Sequence, residues 1–428
     1  MPDGEAMSGT EVHLSAAIRS RIESVLKDEG LQSNLDVRVE DEDSFKGEHF
    51  MSAMRCVKGS GETAEGLSVT ISFVAKFPVK NDTWREMYRT DLMFRKEMDF
   101  YNIILPAYIG FRVSNGKPPQ RDEVPRDGLD WVPRCYCTVS DGTNSMVLLE
   151  DLLAAGYRME SRMVGLDLEK SRVVMRCLGK MHAFSYSLQQ KDPVTFQSLT
   201  KLTQETYLTP EAKGNQASVF QENAQNATAV IKERWPEVAD QLAGRLKEGL
   251  FKLMLKSVSA RDRYSVINHG DVWINNLLFR HSDEEGWEAK FVDYQMVRYC
   301  SPAADLSYFL MTSVERKTRE VHFDDLLKEY HGTMVQWLDH FGVPTLRSTL
   351  PYEELENQMR KHSFFGIGMA LIFLPLYYID ACDSPDVDGL EDLSFSYLRE
   401  MHSKGLENPA ARENLVSVIK QCCDRDYI

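Results

Sequence analysis

The segment NHGDVWINN, residues 268–276, constrains the fold most, because it places several polar side chains on one loop directly before a predicted β-hairpin. Asp271 lies five positions before Asn276, and the second apolar run of the hairpin, AKFVDY, carries Asp293. In a phosphoryl-transfer loop, a carboxylate orients the acceptor hydroxyl, while an amide oxygen and a second carboxylate ligate Mg²⁺. The pattern therefore predicts Asp271 as the catalytic base and Asn276 and Asp293 as Mg²⁺ ligands.

Other interpretations of this loop stay open from the pattern alone. An H-x-D-x-x-x-x-N motif also arises by chance in ordinary turns. His269, Asp271 and Asp293 could instead form the metal site of a hydrolase, although no second His stands at ligand spacing. The eight cysteines contain no C-x-x-C pair, which argues against a zinc site. Because the N-terminal residues show no signal-peptide pattern either, we expect a reduced, cytoplasmic compartment.

The nucleotide-binding parts of such an enzyme are predicted upstream of the loop. Lys76 lies in the strand pattern FVAKF and would grip the α- and β-phosphates of ATP. Glu97 stands among apolar residues of a predicted helix, where a carboxylate is costly unless it is paired, so we expect Lys76 as its partner. The run MVLLEDL is expected to bind the adenine edge through Glu150 and Leu152, with a plain core strand as the alternative. The expected phosphate loop, FKGEHFMS, contains a single glycine, Gly47.

Apolar periodicity divides the chain into three parts. Residues 1–34 are predicted as an N-terminal helical extension, and residues 35–150 as a small lobe with one helix at 84–105 and strands at 50–57, 67–77, 134–139 and 145–149. Residues 151–428 are predicted as a larger, mostly helical lobe, with a long helical stretch at 216–255. The predicted class is therefore α+β with two lobes, and a cleft between lobes commonly holds a ligand. The apolar run at 363–379 is interrupted by glycine and proline, and a buried helix is expected there rather than a membrane span.

Charge and missing motifs limit the partners of the protein. The net charge of −15 argues against a nucleic-acid partner and an anionic membrane surface, because both are bound by clustered Lys and Arg. Asp293 is followed by Tyr294-Gln295 rather than by the Phe-Gly of protein kinases, and no A-P-E segment follows. Because these motifs form the platform that binds a peptide in protein kinases, their absence from the sequence favours a small-molecule hydroxyl acceptor. We also expect a monomer or weak homodimer.

The motifs HGDVWINNLLF and FVDYQMVRYCSPAADLSYFL resemble the ecdysteroid kinase-like family of the aminoglycoside phosphotransferase and choline kinase superfamily. The blocks KGEHFMSAMRCV, FVAKFP, FRKEMDFY, VLLEDL and LGKMHAFSYSL occur in the order of that family. The resemblance implies a protein-kinase-like bilobal fold with the ATP site in the cleft. It also implies Mg²⁺- and ATP-dependent phosphorylation of a small-molecule hydroxyl, with an ecdysteroid or a similar apolar polyhydroxylated compound as the acceptor, in hormone inactivation or detoxification.

The resemblance also suggests roles for three further residues. Asp305 is expected to hold the catalytic loop, and His182 and His269 are expected to be structural. Two alternatives to this function remain: a choline- or ethanolamine-type kinase, which would need acidic and aromatic groups around a cation, and a nucleotide-binding pseudokinase. The joint presence of the nucleotide, metal and base residues argues against a pseudokinase, because a binding module has no need of the base.

Overall fold

The computed structural model describes residues 14–40, 52–115, 129–141, 145–209, 214–343, 350–379 and 395–428 of the chain. The chain divides into two compact units, which are described separately. Met1–Val79 and Arg134–Ala154 form the first unit, and Lys80–Pro133 and Ala155–Ile428 form the second. The segment after Val79 therefore belongs with the helical part of the chain, whereas the sequence analysis placed it in the small lobe at 35–150.

The first unit is an antiparallel five-stranded sheet with one helix, α1 (Ala16–Asp28). The strand order is β1-β2-β3-β5-β4. The strands are β1 Leu31–Glu40, β2 Ser52–Thr63, β3 Ser68–Pro78, β4 Cys135–Val139 and β5 Met146–Glu150. The helix and β2 to β5 confirm the predicted elements, and β1 was not predicted.

Helix α1 forms one side of the core of the first unit. Ser15 accepts a hydrogen bond from the Ile18 N–H and caps the helix. The apolar side chains at helical spacing on α1, among them Ile22 and Leu26, pack against residues of the sheet such as Val57 and Phe73. Gly59 on β2 permits this close packing, because a Cβ there would lie 2.5 Å from Leu26 Cδ2. Each such buried side chain stabilises the unit by about 1.5–3 kcal/mol.

The second unit is mostly helical. In chain order its helices are α2 Asp82–Tyr88, α3 Thr90–Asp99, α4 Leu105–Asn115, α5 Leu168–Lys191, α6 Pro193–Thr200, α7 Gly214–Arg234, α8 Pro236–Leu246, α9 Leu250–Ser259, α10 Ala303–Thr312, α11 Arg316–His340, α12 Tyr352–His362, α13 Phe364–Phe373, α14 Phe395–Glu407 and α15 Pro409–Asp424. Its strands are β6 Arg158–Met159, β7 Val266–Asn268, β8 Leu277–Ser282, β9 Gly286–Phe291 and β10 Arg298–Cys300. Strands β6, β8 and β9 form one antiparallel sheet, and β7 pairs with β10 in another.

Local breaks divide the long predicted helices. The helix expected at 84–105 is interrupted at Arg89, which adopts a left-handed conformation with φ of 56°, and it continues beyond α3 as a π-helix at Phe100–Ile104. The helix expected at 216–255 is divided at Pro236, the first residue of α8, and at Gly249, whose φ is 93°. Proline is favoured at a helix start and lacks the N–H that a helix interior needs.

The apolar run at 363–379 forms α13 and a 3₁₀-helix, Pro375–Tyr378, and α13 is buried over nearly its whole length. Its glycines lie against other helices: a Cβ on Gly366 would overlap Ser307 of α10, and a Cβ on Gly368 would overlap Met254 of α9. The absence of these side chains lets the helices approach closely, which confirms the predicted buried helix. Among the described residues, no helix is long and apolar enough to cross a membrane.

Candidate active site

The β8–β9 hairpin brings Asn276 and Asp293 to the same end of one small sheet. Leu277, the first residue of β8, pairs with Phe291, the last residue of β9. The Val292 N–H then donates to the Asn276 carbonyl at 3.0 Å, which extends the pairing by one step. The two predicted metal ligands therefore flank the open end of the hairpin, although they are seventeen positions apart in the sequence.

Asp271 lies in the loop between β7 and this hairpin and is 9% exposed. The Asn276 side-chain amide donates to Asp271 Oδ2 at 2.9 Å and to the Asp271 carbonyl at 3.0 Å, so the two residues are held together. Burial, followed by the nearby charge of Asp293, raises the pKa of Asp271 to about 7. The bond from Asn276, the charge of Arg298 and a hydrogen bond from Tyr308 act in the opposite direction.

Asp305 on α10 holds the start of the loop from behind. Its two carboxylate oxygens accept the N–H groups of His269 and Gly270, both at 2.8 Å. His182 on α5 contacts the same carboxylate at 3.3 Å. Burial would raise the pKa of Asp305, but the bond from His182, the charges of His182 and His269 and the Gly270 N–H outweigh it and lower the pKa. These contacts agree with the expected loop-holding position of Asp305 and with a structural His182.

His269 ties the loop to the hairpin. Its Nδ1 accepts the Asp271 N–H at 3.2 Å, which leaves Nε2 as the donor to the Val292 carbonyl at 3.0 Å. The imidazole therefore bridges the residue that carries the predicted base and the residue before Asp293. Both contacts are to backbone groups, as expected for a structural His.

Gly270 is required by the loop geometry, and the sequence analysis did not predict this. Its φ is +86°, in the left-handed region that favours glycine. A Cβ would overlap the Met296 carbonyl and would lie 3.0 Å from Arg298 Nε. The chain therefore passes directly over the segment that follows Asp293, and only glycine fits between His269 and Asp271.

The residues around Asp271 suit a magnesium ion, which needs few protein ligands, better than a metal that is enclosed by several of them. Within the described residues, no group of three or more His, Cys, Asp and Glu side chains is arranged to hold a metal. Mg²⁺ is usually bound by one or two carboxylates together with phosphate oxygens and water. Asp293 lies close enough to Asp271 to raise its pKa, and a cation would relieve that repulsion. Asn276 and Asp293 would hold such an ion beside Asp271.

The predicted nucleotide residues are distributed over both units. Lys76 on β3, only 4% exposed, lies in the first unit, in register with Met54 and Val147. Glu97 on α3 is fully buried in the second unit, so its pairing with Lys76 stays a prediction. Glu150 ends β5 and donates its N–H to the Arg134 carbonyl at 2.8 Å.

The adenine contact of Glu150 and Leu152 likewise stays a prediction. Leu152 follows β5 in the first unit and is 5% exposed. Gly47 of the expected phosphate loop lies outside the described residues.

An aromatic group adjoins Asp271. Trp273 stacks on Tyr377 with ring centroids 5.1 Å apart and an interplanar angle of 27°. The Tyr308 hydroxyl on α10 lies close enough to the Asp271 carboxylate to oppose the rise in its pKa, and it also acts on the Tyr377 hydroxyl. Trp273 therefore fastens the loop to the 3₁₀-helix at 375–378. The sequence analysis missed Tyr308, although its place three residues after Asp305 puts it on the same face of α10.

A comparison with protein families identifies the family of the chain. The family model that matches the chain is the ecdysteroid kinase-like family, and the match covers residues 46–343, more than half of the chain. The family is one of kinase-like small-molecule phosphotransferases. This chain belongs to the ecdysteroid kinase-like family. A comparison with curated proteins finds no match.

Solved structures of kinases are also similar to the chain. An ethanolamine kinase from Plasmodium vivax has 10% sequence identity and a TM-score of 0.34, over 89% of this chain and 84% of that one. An aminoglycoside 2'-phosphotransferase solved with GDP has 14% identity and a TM-score of 0.41, over 93% of this chain and 97% of that one. Because both TM-scores are low, the assignment of the chain to its family rests on the family match and not on these structures.

Proposed function

We propose that the protein is an ATP- and Mg²⁺-dependent O-kinase that transfers the γ-phosphate to an alcohol hydroxyl of a small molecule. The observation that supports this most strongly is the Asp271–Asn276 pair, with Asp293 beside it and Asp305 behind the loop. Phosphoryl transfer needs positioning and charge compensation more than covalent chemistry. A rigid loop with a carboxylate aimed by an amide provides such positioning.

In this proposal each residue has one task. The acceptor hydroxyl donates a hydrogen bond to Asp271, which orients its oxygen toward the γ-phosphorus. The new P–O bond forms as the bond to the β-phosphate oxygen breaks, ADP leaves, and the hydroxyl proton passes to Asp271. Mg²⁺, when bound, compensates the charge on the phosphates. Asn276 and Asp293 hold that ion, and Lys76 with Glu97 grips the α- and β-phosphates.

The acceptor that we propose is an ecdysteroid or a similar apolar polyhydroxylated compound. Tyr308 and Tyr377 lie beside Asp271, and Trp273 stacks on Tyr377. Aromatic rings without a further carboxylate suit an uncharged, apolar acceptor. A choline- or ethanolamine-type acceptor would need further carboxylates near Asp271, because Asp293 is assigned to the metal.

The experiment that tests the function is a direct search for the product. The full chain is incubated with Mg-ATP and, separately, with ecdysteroids, plant glycosides, phenols, choline and ethanolamine, and mass spectrometry reports an added phosphate. We expect phosphorylation of an ecdysteroid or another apolar polyol. Phosphorylation of choline or ethanolamine alone would contradict the proposed acceptor, and no phosphorylated product with any compound would contradict the proposed activity.

A further inference from the structure

Three charged side chains lie close together behind the catalytic loop, and the proposed chemistry does not use them. We call Lys96 on α3, Glu205 in the segment after α6, and Arg298 on β10 the charge cluster. Lys96 is 7% exposed and Arg298 is 1% exposed. Arg298 Nη1 lies 3.2 Å from Glu205 Oε2, and Lys96 Nζ donates to the Gln204 carbonyl at 2.9 Å. Arg298 therefore pairs directly with Glu205, and Lys96 is bonded to the residue that precedes it.

Glu205 is held from a second side by the backbone. Its Oε1 accepts the N–H of Tyr207 at 2.8 Å and the N–H of Leu208 at 3.0 Å. Burial would raise the pKa of Glu205, but Arg298, Lys96 and these two N–H groups outweigh it and lower the pKa. The carboxylate is therefore ionised and anchored, and it is the fixed point with which Arg298 pairs and beside which Lys96 is bonded.

Arg298 connects the cluster to the catalytic loop. In the β7–β10 sheet, Arg298 pairs with Asn268, which directly precedes His269, Gly270 and Asp271. Its Nε donates to the Met296 carbonyl at 3.3 Å, the same carbonyl that a Cβ on Gly270 would overlap. Its guanidinium lies over the Phe365 ring, 4.6 Å from the centroid. A displacement of Arg298 would therefore reach Gly270 through direct contact.

Lys96 connects the cluster to the helix that carries Glu97. Helix α3 is fastened again one turn later, where the Phe100 ring stacks on Tyr294 at a centroid distance of 3.7 Å and an interplanar angle of 4°. Tyr294 directly follows Asp293, the proposed metal ligand. The helix is thus attached at Lys96 to the Glu205 segment and at Phe100 to the end of the hairpin.

A buried charge group of this kind is poorly explained as a source of stability. Removing charges from water is costly, and well-packed apolar residues are often as stable or more so. The cluster instead reaches two segments next to the proposed site: Arg298 contacts the Met296 carbonyl beside Gly270, and Lys96 lies on α3, which is joined to Tyr294 through Phe100. We infer that Lys96, Glu205 and Arg298 are positioning residues that hold the catalytic loop and helix α3 in one arrangement during phosphoryl transfer. This inference rests on the proposed function.

The decisive variant is Glu205→Gln. Glutamine keeps the shape and an oxygen for the two backbone N–H groups, but it removes the negative charge that pairs with Arg298 and acts on Lys96. We expect kcat to fall by about tenfold to 100-fold with little change in KM for ATP, because a small misplacement of reacting groups is enough for that loss. Glu222→Gln is the matched control, since Glu222 pairs with Arg399 on the surface.

Hydrogen exchange separates this inference from the proposed function. In Glu205→Gln we expect faster amide exchange in peptides covering 266–278 and α3, compared with the wild type and Glu222→Gln. This readout needs no acceptor, so it decides the positioning role even if the wild type phosphorylates nothing. Folded Glu205→Gln protein with wild-type kcat and wild-type exchange in both peptides would overturn the inference. If Glu205→Gln does not fold, kcat and amide exchange are measured on Lys96→Met instead. The same results then support or overturn the inference.

Discussion

The sheet of the first unit and the catalytic loop of the second are held in different ways. The sheet depends on many apolar contacts, such as those of Leu26 with β2. The loop depends on a few polar bonds, made by Asp305, His269 and Asn276, and on one glycine. A single substitution should therefore lower the stability of the sheet gradually, whereas in the loop it should remove function at once.

Gly270→Ala should have the largest effect. The new Cβ would overlap the Met296 carbonyl, and alanine is strained at a φ of +86°. The loop would have to shift, so we expect kcat to fall by about 100-fold or more. Steady-state kinetics with the identified acceptor measures this. Gly244→Ala is the control, because a Cβ at Gly244 meets no atom within 4 Å; equal activity of the two variants would show that the loop is not tightly held.

Asp305→Asn should have the next largest effect on the loop. Asparagine has one carbonyl oxygen and cannot accept both N–H groups as the carboxylate does, and hydrogen bonds to a charged group contribute about 1.5–3 kcal/mol each. We expect lower stability and lower kcat together, measured by urea unfolding and by kinetics. Wild-type kcat in a folded Asp305→Asn protein would mean that Asp305 does not hold the loop in its working geometry.

Leu26→Ala tests the other side of the comparison. Removal of this fully buried side chain should lower the free energy of unfolding of the first unit by about 2–5 kcal/mol. Because Leu26 packs in the core of the first unit and the catalytic loop lies in the second, kcat of the folded protein should stay unchanged. Thermal unfolding and kinetics at a temperature below the transition provide the two measurements. A loss of kcat without a loss of stability would remove the distinction between the two regions.

The smallest predicted effect concerns Lys96, whose ionisation should make the free energy of unfolding depend on pH. Burial, countered by Glu205 and reinforced by Arg298, lowers its pKa to about 7. Above about pH 7 the unfolded chain binds one more proton than the folded one, so the free energy of unfolding should rise with pH. Lys96 contributes at most about 1.4 kcal/mol per pH unit to the rise in the free energy of unfolding. Below about pH 7 both states bind the proton, so Lys96 causes no pH dependence there.

Lys96→Met should remove that rise. Urea unfolding between about pH 7 and about pH 9 measures it, with Lys252→Met as the surface control, since the Lys252 side chain is 70% exposed. An identical pH slope in the wild type and in Lys96→Met would contradict the lowered pKa.

Periodic apolar patterns made most of the fold predictable from the sequence. The strands β2 to β5, the β8–β9 hairpin and the buried α13 all have such patterns, and all were predicted. Strand β1 was missed because its residues 31–40, LQSNLDVRVE, are largely polar and only Leu31 and Val37 are fully buried. Helix breaks such as Arg89 depend on local conformation and on packing that no periodicity reveals.

The site was predictable where spacing along the chain determines proximity. Asp271 and Asn276 lie on one loop, and a hairpin brings Asp293 next to them, so the motif was sufficient to predict that these three side chains lie together. Glu205 and Arg298 were missed because contacts between distant segments place them together, and no spacing along the chain indicates such contacts. An arginine inside the apolar run MVRYC was the one available indication, since a buried guanidinium needs a partner.

The central claim is that Asp271 orients the acceptor hydroxyl. Asp271→Asn retains the shape of the side chain and removes the carboxylate, and Asp192→Asn is the matched control because Asn also caps a helix well. Turnover and Mg-nucleotide affinity are measured on both variants. The account predicts a loss of turnover of about 10²–10⁴-fold in Asp271→Asn with Mg-ATP still bound, and wild-type behaviour in the control. Wild-type turnover in Asp271→Asn would contradict the account.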